Sequence, residues 1–372
     1  MNLDFSDDQK QLQDQVRRFL TEKCPTTAVR AVLEGPEPFD RELYRGLAEL
    51  GVLGVAIPEE YGGTGLSHLE LCLVAEELGR ALAPVPVASS IYLAAEFLLH
   101  AGSDAQKQAW LPRLASGEAV GAFALAEGAG RTTSKKIAAT VSQGRLTGVK
   151  WPVADGDAAD FAVVAAREGE GVSLFVVDLS GPGVTRETLN SIDPTRSQAR
   201  LSFDGAPAER LGGAGEGWHI AEMVMDRAAI LMAFEQVGGA DRALEMARDY
   251  ALDRMAFGRQ IGSFQAIKHI LADMYVSATL ARSNCYYGAW ALATGSSELP
   301  VAAATARVSA TQAFQHCAKN NIQVHGGIGF TWAVDCHLFY RRANALALAL
   351  GSQSAWEDLL IARMRTTNTE AA

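Results

Sequence analysis

The pattern of apolar residues changes from strand-like to helical at Gly213-Ala214-Gly215-Glu216-Gly217. Upstream of this stretch, short runs rich in apolar residues alternate with Gly, Asp, Pro and Asn, which is typical of strands and turns. Downstream of it, apolar residues recur at helical spacing in long stretches with short connections, which is typical of an antiparallel bundle. The stretch itself lacks the spacing of GxGxxG and no strand directly precedes it, so a Rossmann dinucleotide site is not predicted.

The elements on either side of this junction define the predicted domains. The β-like runs are Gly121–Leu125, Ala138–Thr147, Phe161–Ala166, Val172–Asp178 and Ala199–Phe203. The helical stretches beyond the junction are Trp218–Met255, Ser263–Thr294, Pro300–Asn320 and Ala343–Arg365. Helices are also predicted before residue 118, where Ser6 and Gln9 have the spacing of a capping box.

The sequence therefore predicts an α+β multidomain fold. An N-terminal helical domain spans residues 1–118, and a middle antiparallel β-barrel or sandwich spans residues 119–213. A C-terminal four-helix bundle spans residues 214–372.

Composition excludes several classes of protein. The chain has 372 residues, of which 48% are hydrophobic and 20% charged, and these values predict a globular protein with more than one core. A net charge of −10 argues against a nucleic-acid partner. No apolar run is long enough for a membrane helix, and the acidic start Met1–Asp8 does not resemble a signal peptide, so we expect a soluble cytoplasmic protein.

Known motifs of metal, nucleotide and hydrolase chemistry are absent from the sequence. The five cysteines form no CxxC pair and the histidines have no metal-ligand spacing, so neither a disulfide framework nor a metal site is predicted. Walker, HExxH and GxSxG motifs are also missing. The residues alone predict a three-part protein and name no reaction.

Segments spread over nearly the whole chain resemble the acyl-CoA dehydrogenase family. In chain order they are Ile57-Pro58-Glu59-Glu60-Tyr61-Gly62-Gly63, Ala75-Glu76-Glu77-Leu78-Gly79, the segment 106–118, Arg254-Met255-Ala256-Phe257-Gly258-Arg259-Gln260-Ile261-Gly262-Ser263-Phe264-Gln265, Gln323-Val324-His325-Gly326-Gly327-Ile328-Gly329-Phe330-Thr331-Trp332 and Tyr340-Arg341-Arg342-Ala343. The resemblance implies FAD as cofactor, acyl-CoA as substrate, and a tetramer in which neighbouring subunits complete each flavin site. The sequence does not identify the electron acceptor, for which an electron-transfer flavoprotein is one candidate.

The resemblance also assigns cofactor contacts. The guanidinium of Arg254 would bind the FAD pyrophosphate, and Phe257 would offer the cofactor an apolar face. Backbone at Gly326 and Gly327 would approach the pyrophosphate closely. The remaining residues assigned to the cofactor are Gln265, Gln323 and Trp151. The alternatives are a surface arginine at Arg254 and a plain turn at the glycines.

The general base that the family's reaction needs is missing from both usual positions. That reaction removes an α-proton from the acyl thioester while a hydride leaves the β-carbon for the flavin. The family's glutamate falls at Leu350 in one alignment and at Ala228 in the other, and neither side chain accepts a proton. Asp226 corresponds to a residue that contacts substrate. Glu235 is the candidate substitute base, and the alternative is a structural carboxylate.

The middle domain departs from the family pattern as well. Its "T-E-P-x-x-G-S-D" stretch corresponds to Ala126-Glu127-Gly128-Ala129-Gly130-Arg131-Thr132, and "K-x-W-I-T-N" corresponds to Val149-Lys150-Trp151-Pro152-Val153-Ala154. Ala126 and Val153 therefore replace two side chains that would hydrogen-bond the flavin ring. These changes weaken the case for efficient flavin reduction more than the case for FAD binding.

Three functions remain open from the sequence. The first is an FAD-dependent acyl-CoA dehydrogenase that lacks the usual glutamate. The second is a silent partner subunit in an α₂β₂ assembly with a base-bearing paralogue, as in the branch that acts on bulky or steroid acyl-CoAs, which the segments 189–196 and 235–240 resemble. The third is a flavin oxidase or monooxygenase on the same fold.

Overall fold

The computed structural model describes the backbone of residues 5–370 and the side chains of residues 5–366. Residues Met1–Asp4, the first half of the acidic start of the sequence, lie outside the described residues. Within residues 5–370 there are eleven α-helices: α1 (Asp7–Lys23), α2 (Thr26–Glu34), α3 (Arg41–Glu49), α4 (His68–Arg80), α5 (Glu96–Ala101), α6 (Asp104–Ala115), α7 (Gly217–Asp253), α8 (Gln265–Thr294), α9 (Leu299–His325), α10 (Cys336–Leu348) and α11 (Gln353–Glu370).

The same part of the chain contains ten strands. They are β1 (Gly121–Ala124), β2 (Thr140–Ser142), β3 (Arg145–Ala154), β4 (Phe161–Glu168), β5 (Gly171–Asp178), β6 (Val184–Leu189), β7 (Gln198–Pro207), β8 (Glu209–Leu211), β9 (Met255–Ala256) and β10 (Arg259–Gln260). This mixture of helix and sheet confirms the predicted class of secondary structure.

The chain forms two compact units, and each is built from more than one segment. The first unit comprises Met1–Val29, His68–Ala83 and Ala229–Ala372, and the second comprises Arg30–Ser67 and Pro84–Ala228. Helix α7 contributes to both units, because the boundary falls after Ala228. The predicted division into three consecutive domains stays a prediction.

The first unit is helical, and small residues set its helix contacts. Helices α8, α10 and α11 pack against α9, whose alanines are all buried. Helices α4 and α7 pack with their backbones in contact. A Cβ atom at Gly79 would lie 1.8 Å from the carbonyl oxygen of Glu235, and one at Gly238 would lie 1.9 Å from that of Glu76. Glycine is therefore required at both positions for this close packing.

The ends of two predicted helices illustrate local sequence signals. The capping box at the start of α1 is confirmed, because Ser6 Oγ accepts a hydrogen bond from Gln9 N and Gln9 Oε1 accepts one from Ser6 N. The helix predicted over Ala343–Arg365 is wrong in its middle, since α10 ends at Leu348 and α11 begins at Gln353. Leu350 and Gly351 between them have φ angles of 60° and 105°, which no helix accommodates.

The second unit contains one eight-stranded sheet. Its order is β6-β7-β3-β2-β4-β5-β8, and β1 pairs with β4. Strands β1 and β2 run parallel to β4 and share one of its edges, whereas the other pairings are antiparallel. The sheet is open, so the predicted barrel closure is not confirmed. Strand β6 was not predicted, because its side chains are mostly exposed and lack an apolar alternation.

Burial places the core of the second unit at β4 and β5. Their side chains from Phe161 to Ala166 and from Val172 to Val177 are buried on both faces. Trp110 of α6 stacks on Phe161 with ring centroids 4.2 Å apart. Across the described residues of both units, no helix has the length and apolarity to cross a membrane.

Candidate functional site

One cavity of the first unit gathers residues from two distant motifs. Its volume is about 310 Å³. The residues that line it come from the end of α7, the start of the turn after β10, the end of α9 and the turn beyond α9: Tyr250, Arg254, Ile261, Val324, His325, Gly327 and Ile328. Arg254 and Gly327, which the sequence predicts as cofactor ligands, therefore lie at the same cavity.

Arg254 presents an exposed cation at this cavity. Its backbone is fixed by two hydrogen bonds of 2.8 Å, one from its N–H to Tyr250 O and one from Ile261 N–H to its own carbonyl. Among the described residues the guanidinium forms no ion pair or hydrogen bond, and it is solvent-exposed. The five N–H donors of this side chain are therefore available to an anionic ligand.

The turn after α9 supplies open backbone beside Arg254. Gly326 has φ 66° and ψ −145°, a conformation that only glycine adopts readily. A Cβ atom at Gly326 or Gly327 would meet no atom within 4 Å among the described residues other than its chain neighbours. This side of the turn is thus open to close approach by a ligand.

Two aromatic rings form a wall of the cavity that the sequence analysis missed. Tyr250 and His325 stack with centroids 4.1 Å apart. Burial lowers the pKa of His325, and its Nδ1 contact of 2.8 Å with Asn321 O opposes that shift. The signal for Tyr250 was present in the sequence, since it precedes Arg254 by one helical turn and residues at that spacing share a helix face.

The other predicted cofactor residues of this unit lie outside the cavity lining. Phe257 occupies the turn between β9 and β10 at 96% exposure, with φ 51°, and its ring meets Phe264 edge-on. Gln265 is exposed at the first position of α8. Gln323 is exposed in the last turn of α9, where its carbonyl accepts a hydrogen bond from Gly326 N–H.

In the second unit, the two segments assigned to the flavin ring pair with each other. Trp151 N–H donates to Ala126 O at 2.9 Å, and Gly128 N–H donates to Trp151 O at 2.9 Å. The guanidinium of Arg200 lies over the Trp151 ring, 5.1 Å from its centroid. Val153 stands at the position where the family pattern has a hydroxyl. Its apolar side chain is fully buried.

The two positions of the missing base differ in their surroundings. Ala228 lies on α7 two residues after Asp226, and both are buried. Leu350 lies in the turn between α10 and α11 and is partly exposed.

Two buried donors hold the turn that contains Leu350. The guanidinium of Arg307, itself buried, donates to Leu346 O and, at 2.6 Å, to Ala349 O. Trp356 Nε1 donates to Leu350 O at 3.0 Å. These bonds satisfy carbonyls that the end of α10 leaves without helical partners. The backbone at position 350 is therefore held in its left-handed conformation from both sides.

Glu235 is fully buried in an arginine-rich setting. Its Oε1 lies 3.6 Å from Arg342 Nη1. Arg342 also donates to the carbonyls of Leu82 and Ala83, which follow the end of α4. Burial lowers the pKa of Arg307 to about 10, and the nearby Glu235 carboxylate opposes that shift. The carboxylate is thus an internal counter-ion for two buried guanidinium groups.

A second cavity, of about 640 Å³, lies within the second unit. Its lining includes Leu189-Asn190-Ser191 and Pro194 of the segment that resembles the steroid branch. Four carboxylates also line it, at Glu37, Glu118, Asp157 and Asp160, against two arginines. Arg186 donates to the carbonyls of Asp157 and Ala159. This balance of charge does not suit a polyanionic ligand.

Comparison with known proteins identifies relatives of the whole chain. The family models for the acyl-CoA dehydrogenase N-terminal domain and C-terminal domain match residues 6–118 and 215–364. The chain is 35% identical over 347 residues to the acyl-CoA dehydrogenase IpdE2 of Mycobacterium tuberculosis, covering 93% of this chain and 94% of that protein.

Solved structures agree with these relatives. The structure of the ChsE4-ChsE5 complex from Mycobacterium tuberculosis matches with a TM-score of 0.90 and 29% identity, covering 98% of this chain and 99% of that one. Butyryl-CoA dehydrogenase from Megasphaera elsdenii matches with a TM-score of 0.90 and 26% identity, covering 98% of this chain and 100% of that one.

Proposed function

The chain belongs to the acyl-CoA dehydrogenase family, and on that premise we propose that it binds FAD within an assembly that desaturates an acyl-CoA thioester, without the family's usual catalytic glutamate. The observation that carries the proposal is the cavity where the exposed Arg254 guanidinium meets the open backbone of Gly327. Bound FAD would supply the hydride acceptor of the reaction.

The residues at this cavity fit the phosphate-bearing part of FAD. A guanidinium without an internal partner and glycine backbone that a ligand can approach are the groups that bind pyrophosphate in proteins. Tyr250 and His325 provide a stacked aromatic wall beside this contact. Phe257, Gln265 and Gln323 are proposed as further cofactor contacts on the family pattern.

The proton-transfer step is where this chain departs from an active dehydrogenase. A general base must reach its proton at about 3 Å, directly or through one water. Leu350 occupies the position that the family pattern gives to the base, and its side chain cannot take a proton. Glu235 is fully buried and engaged with Arg342, so we propose that it is a structural carboxylate.

A catalytically silent partner subunit is the second candidate function. It is favoured by the pinned turn at Leu350, which keeps a defined backbone around an inert side chain. The similarity to a solved complex of two different chains, ChsE4-ChsE5, also supports it. In such an assembly a base-bearing paralogue would carry the proton transfer. The substrate would be a bulky or steroid acyl-CoA, with Asp226 among its contacts, and an electron-transfer flavoprotein would accept the electrons.

Exposed apolar side chains of the first unit support an oligomer. Phe257, Phe330, Tyr275, Leu280 and Leu348 are 62–96% exposed. Large apolar surfaces of this kind mark protein contacts. We propose a dimer of dimers, either of this chain alone or with a paralogue. Light scattering at micromolar concentration should give a tetramer, and a monomer would contradict the proposal.

Flavin retention tests the cofactor site. The assembled protein is saturated with FAD, desalted, and its bound flavin is measured by absorbance for the parent, Arg254→Ala and the matched control Arg248→Ala. Arg248 is an exposed arginine on α7 that pairs with its neighbour Asp249. We expect Arg254→Ala to weaken FAD binding about 10–100-fold, as for loss of a charge-assisted hydrogen bond, while the control binds like the parent. Equal retention by all three would reject the assigned role of Arg254.

A further inference from the structure

A buried ion pair joins the two segments that flank the assigned flavin contacts of the second unit. Lys150 Nζ lies 2.7 Å from Glu127 Oε1, and the lysine side chain is 0% exposed. The carboxylate of Glu127 also accepts hydrogen bonds from the backbone N–H groups of Ala138 and Ala139, at 2.7 and 3.0 Å. A buried lysine is rare unless it is paired in this way.

The same ammonium group makes a second contact that fixes the chain around Ala126. Lys150 Nζ donates to Leu125 O at 3.1 Å. It therefore contacts the residues on both sides of Ala126, and it is itself the residue before Trp151. The backbone hydrogen bond from Trp151 to Ala126 closes the arrangement. One buried cation thus sets the position of both residues that the family pattern places at the flavin ring.

The electrostatics show that the pair is mutually dependent. Burial lowers the pKa of Lys150, and the Glu127 carboxylate opposes that shift. Burial would raise the pKa of Glu127, but hydrogen bonds from Lys150 and from the backbone at 138–139 outweigh it and lower the pKa. Each charge is therefore stabilised by the other, and removal of Glu127 would leave the fully buried Lys150 ammonium with the Leu125 carbonyl as its remaining hydrogen-bond partner.

We propose that Lys150 and Glu127 are positioning residues for the flavin ring, acting through Ala126 and Trp151. Neither is a catalytic residue. This inference rests on the proposed binding of FAD and concerns the contacts of the second unit alone. Glu127 and Lys150 match the family pattern of their motifs, whereas Ala126 and Val153 depart from it.

The test compares the buried pair with an exposed ion pair of the same sheet. The variants are Lys150→Met, the double variant Glu127→Gln/Lys150→Met, and the control Arg210→Met. Arg210 pairs with Glu168, and its side chain is 46% exposed. For each assembled variant, the FAD dissociation constant is titrated and the visible circular dichroism of bound flavin is recorded. The second readout reports the surroundings of the ring, and a loss of stability alone does not shift it.

We expect Lys150→Met to weaken FAD binding about tenfold or more and to change the flavin dichroism, as for loss of a charged hydrogen bond. Arg210→Met should match the parent in both readouts. If Lys150→Met does not fold, the double variant replaces it, because it leaves no buried charge, and it should show the same flavin defects. A folded variant at position 150 with the parent's affinity and dichroism would overturn the inference. If the parent binds no FAD, the proposed function is rejected, and the inference that depends on it is rejected as well.

Discussion

The cavity at Arg254 and the turn at Leu350, both in the first unit, differ in the side chains that they present. At the cavity both the backbone and the side chains suit a ligand, since an exposed guanidinium stands beside open glycine backbone. At the turn only the backbone is specialised, because buried donors from Arg307 and Trp356 hold it while an apolar side chain occupies its centre. The contrast supports the proposed function, in which this chain binds FAD but lacks its own base.

The backbone at Leu350 is unfavourable without these donors. A non-glycine residue with φ near 60° costs about 1–2 kcal/mol relative to a right-handed conformation. Three hydrogen bonds to the carbonyls of Leu346, Ala349 and Leu350 offset that cost.

The largest expected effect comes from restoring a base at this turn. Leu350→Glu in the FAD-loaded protein should raise the rate of flavin reduction by an acyl-CoA substrate about 10²–10⁴-fold, the usual contribution of a general base. Stopped-flow bleaching under anaerobic conditions measures this rate. Leu350→Gln is the matched control, because it has the same shape and polarity but cannot take the proton. Equal rates for the two variants would show that position 350 does not face the substrate.

The second largest expected effect is on stability. It tests whether Glu235 stabilises the fold through its contact with Arg342. Arg342→Met should lower the free energy of unfolding by about 3–5 kcal/mol, because it leaves a buried carboxylate beside fewer cations. Adding Glu235→Gln should recover part of the loss. Denaturant unfolding measures both, and the exposed Arg248→Met should stay within about 0.5 kcal/mol of the parent. If Arg342→Met lowers the free energy of unfolding no more than the control does, the structural role assigned to Glu235 is wrong.

The smallest effect concerns a buried acid in the second unit, two residues beyond Val153. Asp155 Oδ2 lies 2.7 Å from Ser89 Oγ, which also lies 3.0 Å from Pro86 O. Ser197 Oγ lies 2.6 Å from Asp157 and 3.4 Å from Asp155. Each serine hydroxyl has one proton for two acceptors, and a protonated Asp155 supplies the proton that its contact with Ser89 otherwise lacks. The arrangement favours the neutral acid.

The pH dependence of stability tests this arrangement. Burial raises the pKa of Asp155, and Arg196 opposes that shift. The stability from the neutral acid is therefore fully present below its unfolded pKa of about 3.9 and is lost as pH rises through the raised folded pKa. Asp155→Asn, measured against the parent by denaturant unfolding at pH 4.5 and 8, should gain stability relative to the parent at the higher pH.

The control for this variant has the opposite sign. The hydroxyl of Ser180 lowers the pKa of Asp178, so the stability from that carboxylate is present above its unfolded pKa and is lost as pH falls. Measured between about pH 3 and pH 5, which spans its unfolded pKa of about 3.9, Asp178→Asn should therefore lose stability relative to the parent as pH rises. The same pH trend in both variants would contradict the account of Asp155.

The family pattern assigned Arg254 and Gly327 to one ligand, and both line one cavity although Arg254 directly follows α7 and Gly327 lies in the turn beyond α9. The break at Leu350 was not predicted, because the apolar pattern of 343–350 continues across it and the turn depends on Arg307, a residue of another helix. The contact of Glu235 with Arg342 was not predicted either, because Arg342 also belongs to another helix.

The sheet shows a similar limit of local reasoning. Strands β4 and β5 were predicted because continuous apolar runs mark buried strands. Strand β6 has no such run, and its place in the sheet depends on pairing with β7. Closure of a barrel depends on which strands meet at the edges. Here β1 and β2 both occupy one edge of β4, a pairing that alternation within single strands does not encode.

Anaerobic reduction of the unmodified protein tests the central claim that this chain retains cofactor binding but lacks its own base. The chain alone, loaded with FAD, is mixed with straight-chain, branched and steroid-side-chain acyl-CoAs while its flavin absorbance is followed. We predict stable flavin binding with very slow bleaching by every substrate. Rapid bleaching by any of them, abolished in Glu235→Gln, would contradict the claim and identify Glu235 as the base.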